Sequence, residues 1–462
     1  MKILIFIESD LYYRNFIKSG AFDDLIKNHQ VSFAYVRNEG SIKYNVTSDI
    51  EKDGLNIAGS FKYPSNRAKR IYDFTVISMV RLRHKSSTFM SRYKYQLSFK
   101  RRLLFLFLSW GVFYKMYKKF FMRYLGLYEH IYNIIKEKHP DLVIIPTSLI
   151  DSTAFDVILC SRALKINTLM LINGWDNISS KGTIPFMPDY LGVWGEQDKQ
   201  HAMEIHNIPE ERIFVLGAAQ FSYFYREHNV DRKYFLQKHG IPDGKKVILF
   251  AGSARVFDET SILLLLESAI ENGELGNTHI LYRPHPWRHR RLNEDSFFNY
   301  DFKHVTMDST LIDVYKKHKE QSGYYNLPST VLPSLDYYPT LYKSVDAVIC
   351  TLTTVMLEAA IFGLPVLAIA FSDNKHTLTM DKLINDKHFE NIHNIKGLIV
   401  CRDRKRFIEY CKLLVSFSEQ QMMKGSIQEA IKYIVYSDEK TYSQRLLEAV
   451  ENIFYRKNNY RL

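Results

Sequence analysis

Three short stretches in the C-terminal half carry residues able to hold an anion. Ala251-Gly252-Ser253 closes one apolar run, and Arg283-Pro284-His285-Pro286 closes a second. Thr351-Leu352-Thr353-Thr354 closes a third, ahead of a helical segment bearing Glu358. Backbone N–H groups at a helix start, helped by hydroxyls, favour phosphate. A fixed arginine adds a forked set of donors. The prolines on either side of His285 hold its ring on a loop rather than in a core. Glu358, one turn into its helix, can take two ribose hydroxyls. Gly252, Ser253, Arg283, His285, Thr353, Thr354 and Glu358 together describe a site for a nucleotide mono- or diphosphate sugar. Plainer readings stand beside it. Thr353-Thr354 also fits an N-cap, and Glu358 a solvated helix residue.

These residues need strands to carry them. Val247–Phe250, His279–Tyr282, Asp346–Thr351 and Pro365–Phe371 are continuous apolar runs, the pattern of parallel strands buried on both faces. Thr353–Phe362 reads as a helix closed by Gly363 and Pro365. The same alternation occurs earlier, at Lys2–Ile7, Val31–Val36, Asp141–Pro146, Asn167–Asn173, Tyr190–Trp194 and Ile213–Leu216, with a helix over Asp151–Lys165. The pattern predicts an α/β chain with two doubly wound units and a boundary near 220–235. A closing helix over about Thr441–Arg456 presents Leu446, Leu447, Val450, Ile453 and Phe454 on one face and must pack on something.

The chain has 462 residues, of which 46% are hydrophobic and 24% charged. That composition excludes disorder, collagen and coiled coil as the main architecture. Cys160, Cys350, Cys401 and Cys411 form no CxxC pair. Buried thiols are expected rather than disulfides or structural zinc. The first apolar run is too short for a secretory signal core. The longest apolar stretch, Leu103 to Tyr114, is too short to span a bilayer.

The net charge of +12 is localised. Arg67 to Arg123 holds fifteen Lys/Arg and one acid, Asp73, for a net +14; the remainder balances 47 against 49, for a net −2. Aromatic residues interleave with these cations. Three readings follow. One is a surface for anionic lipid, carried by Lys100, Arg101, Arg102, Trp110, Lys115, Lys118 and Lys119. The second is nucleic-acid binding. The third is a solvated helical face with its aromatics in the core. Cationic residues flanking Leu103–Tyr114 favour lipid, and no zinc-finger, RNP-like or homeodomain-like pattern supports nucleic acid.

The stretch D-A-V-I-C-T-L-T-T-V-M-L-E-A-A-I-F-G-L-P-V-L resembles the donor half of GT-B glycosyltransferases. It is similar to the [ST]-rich, E-A-x-x-x-G-x-P-V element that they share with UDP-sugar 2-epimerases. Y-R-P-H-P resembles the R-x-H-P element of bacterial capsule and teichoic-acid transferases, CDP-glycerol-type enzymes included. The match covers about 245–372. It implies a GT-B fold: two Rossmann-like domains facing a cleft, with the C-terminal helix crossing back to the first domain. The expected domains are 1–222 on the acceptor side, with a basic insertion at about 64–124; 223–440 for the donor; and 441–462 as the crossing helix. By position, Arg283, His285, Thr353 and Thr354 contact donor phosphate, and Glu358 holds the ribose. No D-x-D triplet and no G-x-x-x-x-G-K-[ST] occurs, so neither a metal-dependent transferase nor a P-loop enzyme is expected. Arginine, histidine and backbone dipoles must then stabilise the leaving phosphate.

Inverting transfer needs a general base on a loop after an N-terminal strand. Glu8 and Asp10 follow the first strand, and Asp176 follows Asn167–Asn173. Asp176 and Asp10 are the joint candidates. Trp175 can stack on a sugar, with Asn177 beside it. The alternative is an Asx-type turn with Trp175 in the core, and Asp10 equally fits a helix N-cap. A retaining reaction requires no such base.

The expectation is therefore a glycosyltransferase without cofactor or metal, using a nucleotide-sugar donor. It would act on a glycan or lipid-linked acceptor from the cytoplasmic face of a membrane, with no nucleic acid partner. The alternatives are a CDP-polyol phosphotransferase, a UDP-sugar 2-epimerase, and a non-catalytic membrane- or nucleic-acid-binding protein.

Overall fold

A computed structural model gives the structure, which describes residues 1–37, 53–285, 297–312, 333–376 and 379–459. The chain divides into two compact units. The first is Met1–Ser222 with Asp386–His388 and Tyr433–Leu462; the second is Tyr223–Asn385 with Phe389–Lys432.

The first unit contains strands β1 (Lys2–Ile7), β2 (Gln30–Val36), β3 (Ile57–Phe61), β4 (Leu142–Thr147), β5 (Asn167–Ile172), β6 (Tyr190–Val193) and β7 (Ile213–Val215). They form one parallel sheet in the order β3-β2-β1-β4-β5-β6-β7. Alternate residues of each strand point to opposite faces. Leu4, Phe6, Val143, Ile145, Met170 and Ile172 enter one core, and Ile3, Ile5, Ile7, Leu142, Ile144 and Leu169 enter the other. Because both faces are covered, these runs are continuously apolar. The closing helix, Tyr442–Asn459, lies in this unit and buries Tyr442, Leu446, Ala449, Val450 and Ile453 in the second of those cores.

The second unit contains β8 (Lys246–Ala251), β9 (Thr278–Arg283), β10 (Val305–Met307), β11 (Ala347–Thr351), β12 (Val366–Ile369) and β13 (Leu398–Cys401). They too are all parallel, in the order β10-β9-β8-β11-β12-β13. Strands β3, β10 and β13 are additions to the sequence reading. All three are edge strands, and two of them have four residues or fewer.

The basic segment folds as four helices, Ser65–Leu82, Ser87–Tyr95, Phe99–Leu108 and Gly111–Leu125. Its ends are fastened to helix Ser152–Ala163. Arg67 Nε lies 2.6 Å from Asp156, and the same guanidinium donates to the carbonyls of Leu125 and Gly126 at 2.8 and 2.7 Å. The cysteines are all buried and unpaired.

Candidate functional site: the carboxyl edges of two sheets

In open α/β sheets, ligands bind beyond the carboxyl ends of the strands where the strand order reverses. In the first unit that point lies between β1 and β4. Glu8 and Asp10 follow β1, and Ser148 to Asp151 follow β4. Tyr12 ties the two loops together. Its hydroxyl donates to Asp151 and lies 2.9 Å from Ser148 Oγ, while the Ser148 N–H reaches Asp151 at 2.7 Å. Burial pushes Glu8 well above the usual carboxylate range, and the charge of Asp151 pushes it further. Asp151 is also raised by burial, against hydrogen bonds from Tyr12, Ser148 and Thr147. Two neighbouring desolvated carboxyls favour retaining a proton. Leu149, between them in the chain, sits at φ +63°, which branched residues rarely adopt. Local strain of this kind gathers at functional edges.

The loop after β5 holds Asn173 to Asn177. Asn177 Nδ2 donates to Asp176 at 3.0 Å, and Lys181 Nζ lies 3.3 Å away. Burial pushes Asp176 up, but Lys181 and His388 outweigh it, and its carboxyl stays below the usual range. Asp176 is therefore ionised at neutral pH. Trp175 is only 2% exposed, with its ring edge-to-face with His388 at 4.8 Å. It is packed as a core residue, so stacking on a sugar would need this contact to open. His388 Nδ1 is 2.7 Å from Ser180 Oγ.

Asp198, just after β6, was missed by sequence reasoning. It is buried, its Oδ1 meets no partner, and Trp194 N–H approaches its other oxygen at 3.4 Å. Burial raises Asp198 well above the usual range, and Asp176 adds to the rise. Two carboxyls whose surroundings push them in opposite directions are the pattern of an acid/base pair. Its position at a strand's carboxyl end was the available signal. Asp10 is half-buried in the short helix Asp10–Tyr12, with Ser9 and not Asp10 in the cap position. The following residues, Tyr13–Lys18, are π-helical.

In the second unit the order reverses between β8 and β11. A Cβ on Gly252 would fall 2.5 Å from Glu259 Oε2, so a side chain there would displace that carboxylate. Glu259 accepts from Ser253 N–H at 3.2 Å and from Tyr282 Oη at 2.7 Å. Arg283, expected to meet donor phosphate, is buried. It pairs with Asp308, donates to Thr310 at 3.2 Å and stacks over Tyr337 and Tyr338 at 5.1 and 5.4 Å. The reason is electrostatic, since a buried guanidinium requires a buried counter-charge. Burial pushes Asp308 up, but Arg283, Tyr337 and Thr310 hold it below the usual range. Glu358, expected at the ribose, accepts from the buried Tyr342 hydroxyl at 2.8 Å with one oxygen. Thr354 is exposed, and Thr353 half-buried, before helix Val355–Ile361. His285 is half-buried, and Pro286 lies outside the described residues.

A hollow of about 520 Å³ in this unit is lined by Arg232, Lys246, Thr278 and Asp346. These residues stand at the amino ends of the strands, so the carboxyl edge remains the better place for a ligand. Among the described residues, Glu267, Glu271 and His304 lie close enough together for a metal. Glu267 is already engaged by the N–H groups of Lys303 and His304, and Glu271 by the Lys303 ammonium.

The cations named for lipid divide into two sets. Arg101 pairs with Asp73, Arg102 donates to backbone carbonyls, and Lys118 reaches the Pro185 carbonyl at 2.5 Å over the Phe186 ring. Lys118 is half-buried, and burial lowers it. Lys100, Lys115, Lys119 and Trp110 are exposed.

No protein-family model matches the sequence, and no curated protein does. Solved structures match along nearly the whole chain. A candidate UDP-N-acetylglucosamine 2-epimerase from Listeria monocytogenes has a TM-score of 0.55 at 12% identity, over 98% of this chain and 96% of its own. The UDP-GlcNAc 2-epimerase of Neisseria meningitidis, bound to UDP-GlcNAc, gives 0.51 at 12%, over 98% and 100%. A glycosyltransferase from Rickettsia africae gives 0.50 at 13%, over 98% of both chains. At such identities the likeness is one of fold, and that fold is GT-B.

Proposed function

We propose that the chain is a metal-independent glycosyltransferase. It takes a sugar from a nucleotide-activated donor to a lipid-linked or surface-polysaccharide acceptor at the inner face of a membrane. The observation that carries this reading is Asp176 at the carboxyl edge of the first sheet, 3.3 Å from the Lys181 ammonium and held below the usual carboxylate range. A carboxylate kept ionised can take the proton of an acceptor hydroxyl as the glycosidic bond forms. Asp10 is the reserve candidate. On the donor side, backbone and hydroxyl groups after β8 and β11, with His285, would meet the phosphates. Arg283 would support them through its charge and not by first contact.

A second reading is epimerisation of a UDP-sugar. It is favoured by the descriptions of the structural neighbours, most of which are UDP-GlcNAc 2-epimerases. The transferase reading is preferred because the first unit carries an exposed cationic and aromatic surface that a soluble sugar nucleotide does not need. One assay separates the two. Purified protein is incubated with UDP-, CDP- and GDP-sugars, with and without a bacterial lipid extract, in EDTA. Nucleotide release that needs the extract supports transfer. A new sugar nucleotide formed without extract supports epimerisation. If no nucleotide stabilises the protein, both readings fail; ligand at about 100 times its dissociation constant adds roughly 2.7 kcal/mol.

A further inference from the structure

We infer that the hairpin of helices Phe99–Leu108 and Gly111–Leu125 is a docking face for an anionic lipid bilayer. The inference deepens the acceptor side of the reading above and rests on it for the membrane location.

Helix Gly111–Leu125 has three distinct stripes. Residues four apart share a helix face. Tyr117, Phe121 and Leu125 turn inward, and the Phe121 ring stacks on Phe74 at 4.5 Å. Val112, Met116, Phe120 and Tyr124 form a second stripe, all exposed to solvent. Lys115, Lys119 and Arg123 form a third, also exposed and bordering the second. The core face is already filled, so the exposed apolar stripe is additional to it. At the tip of the hairpin, Phe107 and Trp110 gather on Phe113 with ring centroids 4.4 and 6.4 Å away. Exposure reaches 73% for Trp110, 71% for Phe99, 66% for Phe120 and 63% for Met116. Contiguous apolar exposure on this scale marks an interaction surface.

Charge selects the occupant. The segment from Arg67 to Arg123 carries a net +14. A second copy would set that charge against itself. A negatively charged bilayer complements it, at about 1 kcal/mol per cation near the surface. Among the described residues no helix is long and apolar enough to cross a membrane. The hairpin therefore lies on the interface, with its aromatics at headgroup level. Its rigid seat is the Arg67–Asp156 pair, which closes both ends of the insertion.

The test is flotation of the full chain with vesicles of phosphatidylcholine, alone or mixed with phosphatidylglycerol. Binding to the mixed vesicles that weakens with salt is expected. The triple variant Trp110→Ser, Met116→Ser, Phe120→Ser should lose at least about tenfold in partitioning. Lys115→Gln and Lys119→Gln should lose about fivefold each. These positions are exposed, and circular dichroism on each variant confirms folding. The inference is overturned if the wild type floats with neither vesicle, or if the triple variant binds as well as wild type. It is overturned too if light scattering shows a dimer that the triple variant disperses while vesicles go unbound. Nucleotide thermal shifts on the same samples separate the two claims. Retained stabilisation without vesicle binding sinks only this inference, and vesicle binding without stabilisation sinks only the transferase reading.

Discussion

The two sheets are wound alike and differ in how the acids at their carboxyl edges are partnered. Beyond the strands of the first, Glu8, Asp151 and Asp198 are desolvated, and burial raises all three. Beyond the strands of the second, three acids have basic partners: Arg283 for Asp308, Lys375 for Asp258 at 2.5 Å, and His376 for Asp373 at 2.6 Å. Burial pushes those three up as well, but their partners outweigh it and hold them below the usual range. Strand order therefore fixes where an edge lies, and the partner of each carboxyl decides what the edge can do. The first edge can store and move protons. The second holds fixed charge, which suits a phosphate.

Breaking the fixed-charge side should have the largest effect. Arg283→Ala leaves Asp308 buried without its counter-charge and should cost about 3–5 kcal/mol. The loss should appear in denaturant unfolding of the second unit. The sign with pH follows from Asp308, whose folded pKa is depressed. Its contribution is present above the ordinary carboxylate range and is lost as pH falls through the folded value. The gap between wild type and variant should close on acidification; a gap independent of pH would remove the ion pair as its cause. Arg283→Ala is for the same reason a poor probe of nucleotide binding, and Arg283→Lys is the better one.

On the proton-handling side, Asp176→Asn should lower turnover at least about 100-fold, the low end of general-base effects. That is about 2.7 kcal/mol of transition-state stabilisation. Nucleotide affinity should not change. Wild-type turnover in this variant would pass the role to Asp10 or point to a retaining reaction.

Most of the fold is legible in the apolar runs. KILIFI, LVIIPT and VILFA each need cover on both faces, and only a central parallel strand has it. Ile57–Phe61 escapes that reading because it is an edge strand, half-buried along most of its length, with Gly59 and Ser60 in its middle. Val305–Met307 escapes because three residues show no period. The chemistry is legible by position and not by pairing. Arg283 is prominent in sequence, yet its partner Asp308 lies just past the next strand over and is brought to it by the β9–β10 ladder. Asp176 stands out beside Trp175, and Lys181, the first of the cations that lower it, is close in sequence; the second, His388, is more than two hundred residues away and returned to the first unit. Spacing along the chain cannot express contacts made by strand order.

A smaller change sharpens the second edge. Tyr337 Oη donates to Asp308 at 2.6 Å, and burial raises the phenol. Tyr337→Phe keeps the ring under Arg283 and removes one donor to a buried carboxylate. A loss of about 1–3 kcal/mol is expected, less than for Arg283→Ala because the counter-charge remains. An equal loss in both variants would make the phenol, and not the guanidinium, the main partner.

The smallest effect should also have the opposite sign. Asp198 has its folded pKa raised by burial and by Asp176. Its contribution to stability is complete below the unfolded value of about 3.9 and is lost as pH rises through the folded value. As pH rises, burial and the nearby charge of Asp176 oppose ionisation of this acid. Asp198→Asn keeps the shape, can still accept the Trp194 N–H, and removes the titration. The variant should match wild type within about 1 kcal/mol in acid and gain on it steadily as pH rises. Paired denaturant titrations from about pH 4 to about pH 8 measure this directly. If the variant instead loses ground as pH rises, Asp198 is ionised and paired like Asp308, and the contrast between the two edges fails.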